Sequence, residues 1–289
     1  MPTLPVTIDR GPRPYQNVSP EEAEELLALG AVVLDVRTPR EHEELGHIPG
    51  ALLLPVELLH SAPAILPEDG RPVVVVCEHG VRSRQAAALL ADAGIPACNM
   101  VGGMSRWAGP RVHEPSPVAG PSPWLLAHAR LAPRGARTLD VACGRGRHAL
   151  FLAGAGFPVR AVDRDPGQVA WLGALARRLH LPLDALVVDL ESGSADLGAS
   201  EWELVLVFNH LHRPLFPAVV RALKPGGVLL CETNDHLLEP GELPRLVAPL
   251  EVVRQREGEI DGRAIASVAA RKPGSPASNA RPRRPAPKK

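Results

Sequence analysis

At 289 residues the chain exceeds what one hydrophobic core usually serves, so two domains are expected. Its 32 basic and 32 acidic residues cancel to a formal charge of zero, which excludes a surface-wide nucleic-acid footprint built on excess Lys and Arg. No apolar run nears the ~20 residues of a membrane-spanning helix, and MPTLPVTIDRGPRP at the N-terminus has no signal-type apolar stretch. Cys77, Cys98, Cys143 and Cys231 are scattered, without a Cys-x-x-Cys pair. A disulfide framework and a zinc knuckle are therefore not expected, and a reducing cytoplasm fits.

In chain order, VSPEEAEELLALG predicts a helix with Ser19 as N-cap, Pro20 at its first position, Glu22 closing a capping box and Gly30 as its stop. AVVLDVR reads as a buried strand, and so does VVVVC. RSRQAAALLADAG follows with Ala86, Leu89, Leu90 and Ala93 at helical spacing. This alternation predicts an α/β unit with a parallel sheet over residues 15–110. The stretch 108–123 is rich in Pro and small residues, which places a linker at 111–121. The pattern restarts over 122–271. RTLDVAC, PVRAVD, DALVVDL, WELVLVFN and GGVLLCET are strands with helices between several of them, and two more strands flank a turn expected at Gly258–Gly262. That predicts a Rossmann-like, seven-stranded doubly wound domain with an antiparallel pair at its edge. Residues 272–289 carry basic but no acidic side chains and read as a disordered tail, with weak RNA contact the functional alternative.

The first chemical signal is CEHGVRS. A cysteine at the carboxyl end of a parallel strand, just before a helix, sits where backbone amides converge and the helix dipole favours negative charge. Gly80 lets the loop curl into an anion-binding nest, and Arg82 is expected to help the dipole lower the Cys77 thiol pKa. LDVRTPREHEELGHIPGALLLP, CEHGVRS and VGGMSRW, in that order, make residues 15–110 resemble a single rhodanese domain. The resemblance implies that Cys77 carries a sulfane sulfur as a persulfide and that Glu78, His79, Gly80, Val81 and Ser83 form the loop around it, with Arg82 beside it. It also gives Asp35, Arg37 and His47 framework roles. The four residues between Cys77 and Arg82 match sulfurtransferases rather than the related phosphatases, whose loop is one residue longer. A carboxylate at Glu78 is expected to repel a dianion, which favours a protein persulfide over thiosulfate as donor.

The second signal is TLDVACGRGRHALFLAGAGFPVRAVDRD. Gly144 and Gly146 permit close approach of a ligand to the backbone, and Asp163 at the end of the next strand can accept from both ribose hydroxyls. Asp140 precedes the glycines. An acid there would repel a pyrophosphate but attract the ammonium of a methionine moiety. LDVACGRG, VDRD, VVDL and LKPGGVLLCET resemble the class I S-adenosylmethionine-dependent methyltransferases, nearest the small-molecule and tellurite-resistance-like group with its GRH. By that resemblance Asp140, Ala142, Gly144, Gly146, Asp163, Asp189 and Leu190 line a S-adenosylmethionine site. Ala142 replaces a frequent glycine and is expected to narrow the loop.

FNHLHRPLF follows the fourth strand, where such enzymes place substrate residues, making Asn209, His210, His212 and Arg213 acceptor candidates. No third ligand accompanies the two histidines, so no metal is expected. Together the readings predict a bifunctional sulfurtransferase and methyltransferase acting on a small-molecule acceptor. Two alternatives stand beside it: a methyltransferase whose rhodanese unit only senses persulfide or redox state, and an RNA-modifying methyltransferase.

Overall fold

The computed structural model describes residues 15–67, 69–114, 119–192, 195–233, 238–260 and 263–274. The first unit is a five-stranded parallel sheet of β1 (Gln16–Val18), β2 (Val32–Asp35), β3 (Leu52–Leu53), β4 (Val73–Val76) and β5 (Ala97–Met100), in the order β1-β5-β4-β2-β3. Helix α1 (Pro20–Ala28) begins with the expected capping box: the Glu22 amide donates to Ser19 Oγ at 3.2 Å, and the Ser19 amide to the Glu22 carboxylate at 2.7 Å. Thr38 and Glu41 repeat the device on α2 (Pro39–Glu44). The short helix α3 (Ala62–Ile65) follows a 3-10 turn at Val56–Ser61, and α4 (Val81–Asp92) follows β4. Alternate residues of β4 serve two cores. Val73, Val75 and Cys77 face Ala86, Ala87 and Leu90 of α4, whereas Val74 and Val76 face Val18, Met104 and Trp107. Burial on both faces explains the unbroken run of valines.

The second unit is a seven-stranded sheet in the order β11-β12-β10-β9-β6-β7-β8. Its strands are β6 (Thr138–Val141), β7 (Val159–Asp163), β8 (Leu183–Val187), β9 (Trp202–Phe208), β10 (Leu223–Thr233), β11 (Glu251–Ile260) and β12 (Arg263–Arg271). All neighbours are parallel except the β11-β12-β10 edge. Helices α5 (Pro123–His128), α6 (Arg147–Gly154) and α7 (Pro166–Arg178) cover one face; α8 (Phe216–Ala222) and α9 (Glu242–Leu246) pack on the other. One expectation fails at the edge hairpin. Gly258 pairs with Ile265 inside β11, and the ladder runs on to Ile260 and Arg263. A glycine with no neighbour pressing on it removes a side chain but no ladder hydrogen bond.

Parts of the Pro-rich stretch are bonded to the first unit. Val112 and His47 exchange backbone hydrogen bonds of 2.9 Å each, Arg111 donates to the Leu45 carbonyl at 3.0 Å, and the Ala119 amide donates to Leu53 at 2.8 Å. At the other end Lys272, counted with the tail by composition, belongs to the second unit. Its ammonium donates to the carbonyls of Val220, Arg221 and Leu223 at the end of α8. The rest of the expected tail, 275–289, lies outside the described residues, as does the expected turn at 261–262.

Two candidate active sites

The Cys77 loop is built by backbone meeting backbone. Gly80 caps α4 at φ +83°, a left-handed conformation that favours glycine, and a Cβ on it would lie 2.8 Å from the Gly102 amide nitrogen. A Cβ on Gly103 would lie 2.2 Å from the Cys77 carbonyl oxygen. That close approach lets the amides of Met104 and Ser105 donate to Cys77 and Glu78, at 2.8 and 2.9 Å. VGGMS thus holds the loop from outside.

Inside the loop, the Gly80 and Ser83 amides donate to Cys77 Sγ at 3.1 and 3.3 Å, and Ser83 Oγ lies 3.3 Å from the sulfur. Ser83 Oγ donates in turn to Asn99, and Asn99 to Asn17, so the hydroxyl is fixed from behind. Burial opposes ionisation of Cys77, but the hydroxyl of Ser83 and the amides of Ser83, His79 and Gly80 outweigh it and lower the thiol pKa. His79 is exposed, its ring 3.3 Å from Ser105 Oγ, and Val81 is exposed at the first position of α4.

Arg82 is committed to Glu41 of α2, each of its terminal nitrogens donating to one carboxylate oxygen. That pairing holds the Glu41 carboxyl down at about 2. Glu78 also has a partner. It accepts from the fully buried Arg37 at 2.9 Å, and Arg37 is itself forked onto Asp35. Long-range pairing thus places a guanidinium beside Glu78, one that Glu78 shares with Asp35. Asp35 Oδ2 also accepts from His42 Nδ1 at 2.9 Å, and the rings of His42 and His47 stack at 3.5 Å. Glu41 and His42, absent from the sequence reading, thus complete the frame; the string REHEE carried only a helical surface pattern.

In the second unit the turn after β6 takes three residues into left-handed backbone: Ala142 at φ +56°, Gly144 at +54° and Gly146 at +76°. The departure at Ala142 therefore costs backbone strain as well as space. The Gly144 amide donates to Asp163 Oδ2 at 2.8 Å, and the Asp165 amide to Oδ1 at 3.0 Å, so the acid at the end of β7 ties the two turns together. Asp140 is buried at 1% exposure, and its Oδ2 has no partner. Burial, with the charge of Asp163 adding to it, pushes its carboxyl up to about 7 against the Ala149 amide and Arg147.

A cavity of about 260 Å³ opens over this turn. Of the expected residues it brings together Ala142, Gly144, Gly146 and Asn209, the last at φ +53°. Sequence reasoning missed Ala64, Arg145, His148 and Phe208, which also line it. His148 packs on Phe208 with ring centroids 4.3 Å apart, and its Nε2 has no partner. Burial, reinforced by Arg147, pushes His148 down to about 3, so the ring is neutral at physiological pH. The string GRGRH offered a signal for the basic residues; nothing local marked Ala64 or Phe208.

Other candidates lie outside the cavity lining. Asp189 is exposed beyond β8 and accepts from the Glu191 amide at 3.0 Å, while Leu190 is in the core. The rings of His210 and His212 are 6.4 Å apart. Arg213 is paired with Glu242 at 2.5 and 3.0 Å, which holds that carboxyl down at about 2.

The rhodanese-like domain model matches residues 19–110, and a methyltransferase domain model matches 139–231. Thiosulfate sulfurtransferase GlpE of Ectopseudomonas mendocina is 38% identical over 94 residues, covering 32% of this chain and 84% of the relative. The chain belongs to the rhodanese-like family. In this rhodanese the family domain is followed by a methyltransferase domain. Hemagglutinin 1 of Eikenella corrodens is 34% identical over 113 residues, covering 37% of the chain, and the chain spans 38% of its length. Adenylyltransferase and sulfurtransferase UBA4 of Yarrowia lipolytica is 33% identical over 102 residues, or 35% of the chain, which spans 25% of that relative. Among solved structures, TehB from Haemophilus influenzae is similar at a TM-score of 0.43 with 18% identity, over 52% of the rhodanese fusion and 61% of TehB. Among the described residues, no helix is long and apolar enough to cross a membrane.

Proposed function

We propose that the chain runs two transfers: sulfane sulfur through Cys77, and a methyl group from S-adenosylmethionine to a small nucleophilic acceptor. The observation that supports the sulfur reading most is the convergence of the Gly80 and Ser83 amides on Cys77 Sγ. The thiolate attacks the outer sulfur of a thiosulfate or persulfide donor, taking it as Cys–S–S⁻ and releasing sulfite or a thiolate. The loop amides hold the negative charge on the added sulfur. An acceptor nucleophile such as cyanide then attacks that sulfur and returns the Cys77 thiolate.

The second unit fits S-adenosylmethionine on its own residues. Asp140 offers a buried unpartnered oxygen to an ammonium group, Gly144 and Gly146 keep the turn bare, and Asp163 has lone pairs left for ribose hydroxyls. Bound there, the donor supplies a sulfonium-bound methyl group. Asn209 and the neutral His148 orient an acceptor in the cavity, and the apolar Phe208 and Ala64 exclude water. Asp189 serves the adenine end.

Cyanide-dependent thiocyanate formation tests the first transfer: it is measurable in the unsubstituted protein and absent from Cys77→Ser, and equal background rates in both would remove it. Methylation of a metabolite extract with labelled S-adenosylmethionine tests the second. Label enters product with the unsubstituted protein and not with Asp163→Ala; label from both would displace the cofactor from this turn.

A further inference from the structure

The turn that carries the methyl-donor site is clamped by the other unit. Arg145, between Gly144 and Gly146, donates to the Pro63 and Leu66 carbonyls at 2.8 and 3.3 Å, satisfying groups that the short α3 leaves open at its end. The buried Ser61 Oγ donates to the Arg147 carbonyl at 2.8 Å, and Arg147 donates to Gly120 at 3.3 Å. Farther along α6, the His60 ring lies where a Cβ on Gly154 would come within 2.3 Å of it. The two cores interlock as well. Ala64 of α3 packs in the methyltransferase core, while Phe151 of α6 packs against the sulfurtransferase core. Ala64 reaches the cavity itself, on a wall shared with His148, Phe208 and Asn209.

We propose that the rhodanese-like unit forms a wall of the methyltransferase pocket, and that Ala64 sets the size of ligand the pocket admits. The inference rests on the pocket being the methyl-donor site. Three observations carry it: the residue is small, it is contributed by the other domain, and hydrogen bonds at Ser61, Pro63 and Leu66 hold it in place. The cavity of about 260 Å³ lies below the ~300–1,000 Å³ of ordinary ligand sites, so atoms added at Ala64 compete directly with ligand. The methyltransferase pocket is then incomplete without the sulfurtransferase unit, although the two reactions share no residue.

The test uses the full chain and S-adenosylhomocysteine as probe, by titration calorimetry and by hydrogen exchange. Ala64→Phe is expected to weaken binding at least tenfold and Ala64→Val by less, while thiocyanate formation stays within twofold. In the unsubstituted protein the probe is expected to slow amide exchange at 62–66 together with 142–148. Because the exchange arm needs no substitution, it decides the matter even where Ala64→Phe does not fold. Protection at 142–148 without any at 62–66, or unchanged affinity in a folded Ala64→Phe, overturns the wall. No heat and no protection at 142–148 in the unsubstituted chain removes the methyl-donor reading, and the wall with it; that outcome is distinct from the other two.

Discussion

The Cys77 loop and the Asp140 turn share one plan: a buried parallel strand, a glycine-bearing turn in left-handed backbone, then a helix. Their electrostatics are opposite. Around Cys77 two amides point at the sulfur and the Ser83 hydroxyl lies beside it, and the thiol is easier to ionise than usual. Asp140 lies a little deeper in its strand, one oxygen has no donor, and the carboxyl is harder to ionise than usual. A strand end followed by a helix is therefore not by itself an anion site. What decides is whether the turn amides reach the strand-end side chain or are taken by other groups, as the Gly144 amide is by Asp163 and the Cys143 amide by Val162. The two cysteines placed alike, Cys77 and Cys143, show it again: burial, with Asp140 and Asp163 beside it, pushes the Cys143 thiol up.

The largest expected effect is at the sulfur. Cys77→Ser removes thiocyanate formation to background while leaving S-adenosylhomocysteine affinity within twofold, because the cavity lining contains no residue of the Cys77 loop. Loss of both functions together would break the separation of the two sites. Next, Asp163→Ala is expected to weaken S-adenosylhomocysteine binding by about 2 kcal/mol, the scale of a charged hydrogen-bonding group, read by calorimetry. Thiocyanate formation is unchanged in that variant.

Acidity sharpens the contrast. Asp140 must be ionised to hold an ammonium, and its carboxyl titrates at about 7, so probe affinity rises with pH, by about tenfold from pH 6 to pH 8. Asp140→Asn binds weakly and flat across that range. The ligand-free protein is expected to have the opposite slope in stability. Its folded carboxyl titrates above the unfolded value, so this group's contribution is complete below about pH 4 and lost as pH rises through about 7. Thermal unfolding of Asp140→Asn therefore gains on the parent between pH 5 and pH 8.

At Cys77 the slope reverses. Iodoacetamide labelling sets in at lower pH than for an ordinary cysteine, and Ser83→Ala moves that onset upward by removing the hydroxyl beside the sulfur. An unmoved onset would transfer the effect to the amides alone. The smallest change is Ala142→Gly. It relieves about 1 kcal/mol of left-handed strain but gives back a similar amount in unfolded-chain entropy, so its melting temperature stays near the parent's.

Much of this was legible in the chain itself. Capping at Ser19, the valines of β4, the glycine turns after β4 and β6 and the succession of strands are local or periodic signals, and they appear where expected, whereas the turn expected at Gly258 does not. The partners of charged side chains were not legible. Proximity in sequence directs Arg82 toward the cysteine, four residues lying between them, whereas the carboxylate it binds comes from 41 residues away in α2. Glu78 was read as a lone anion, and its guanidinium likewise comes from 41 residues away. Ala64 carries no chemistry of its own, so only the packing of one unit on the other could bring it to the cavity.

Lys272 sets a practical boundary for shortening the chain. With its ammonium on three carbonyls of the α8 end and its backbone paired to Gly226 and Gly227, it acts as the stopper of the second sheet. Exopeptidase trimming that halts after it leaves every described strand partnered, whereas one further cut uncorks the end of a helix.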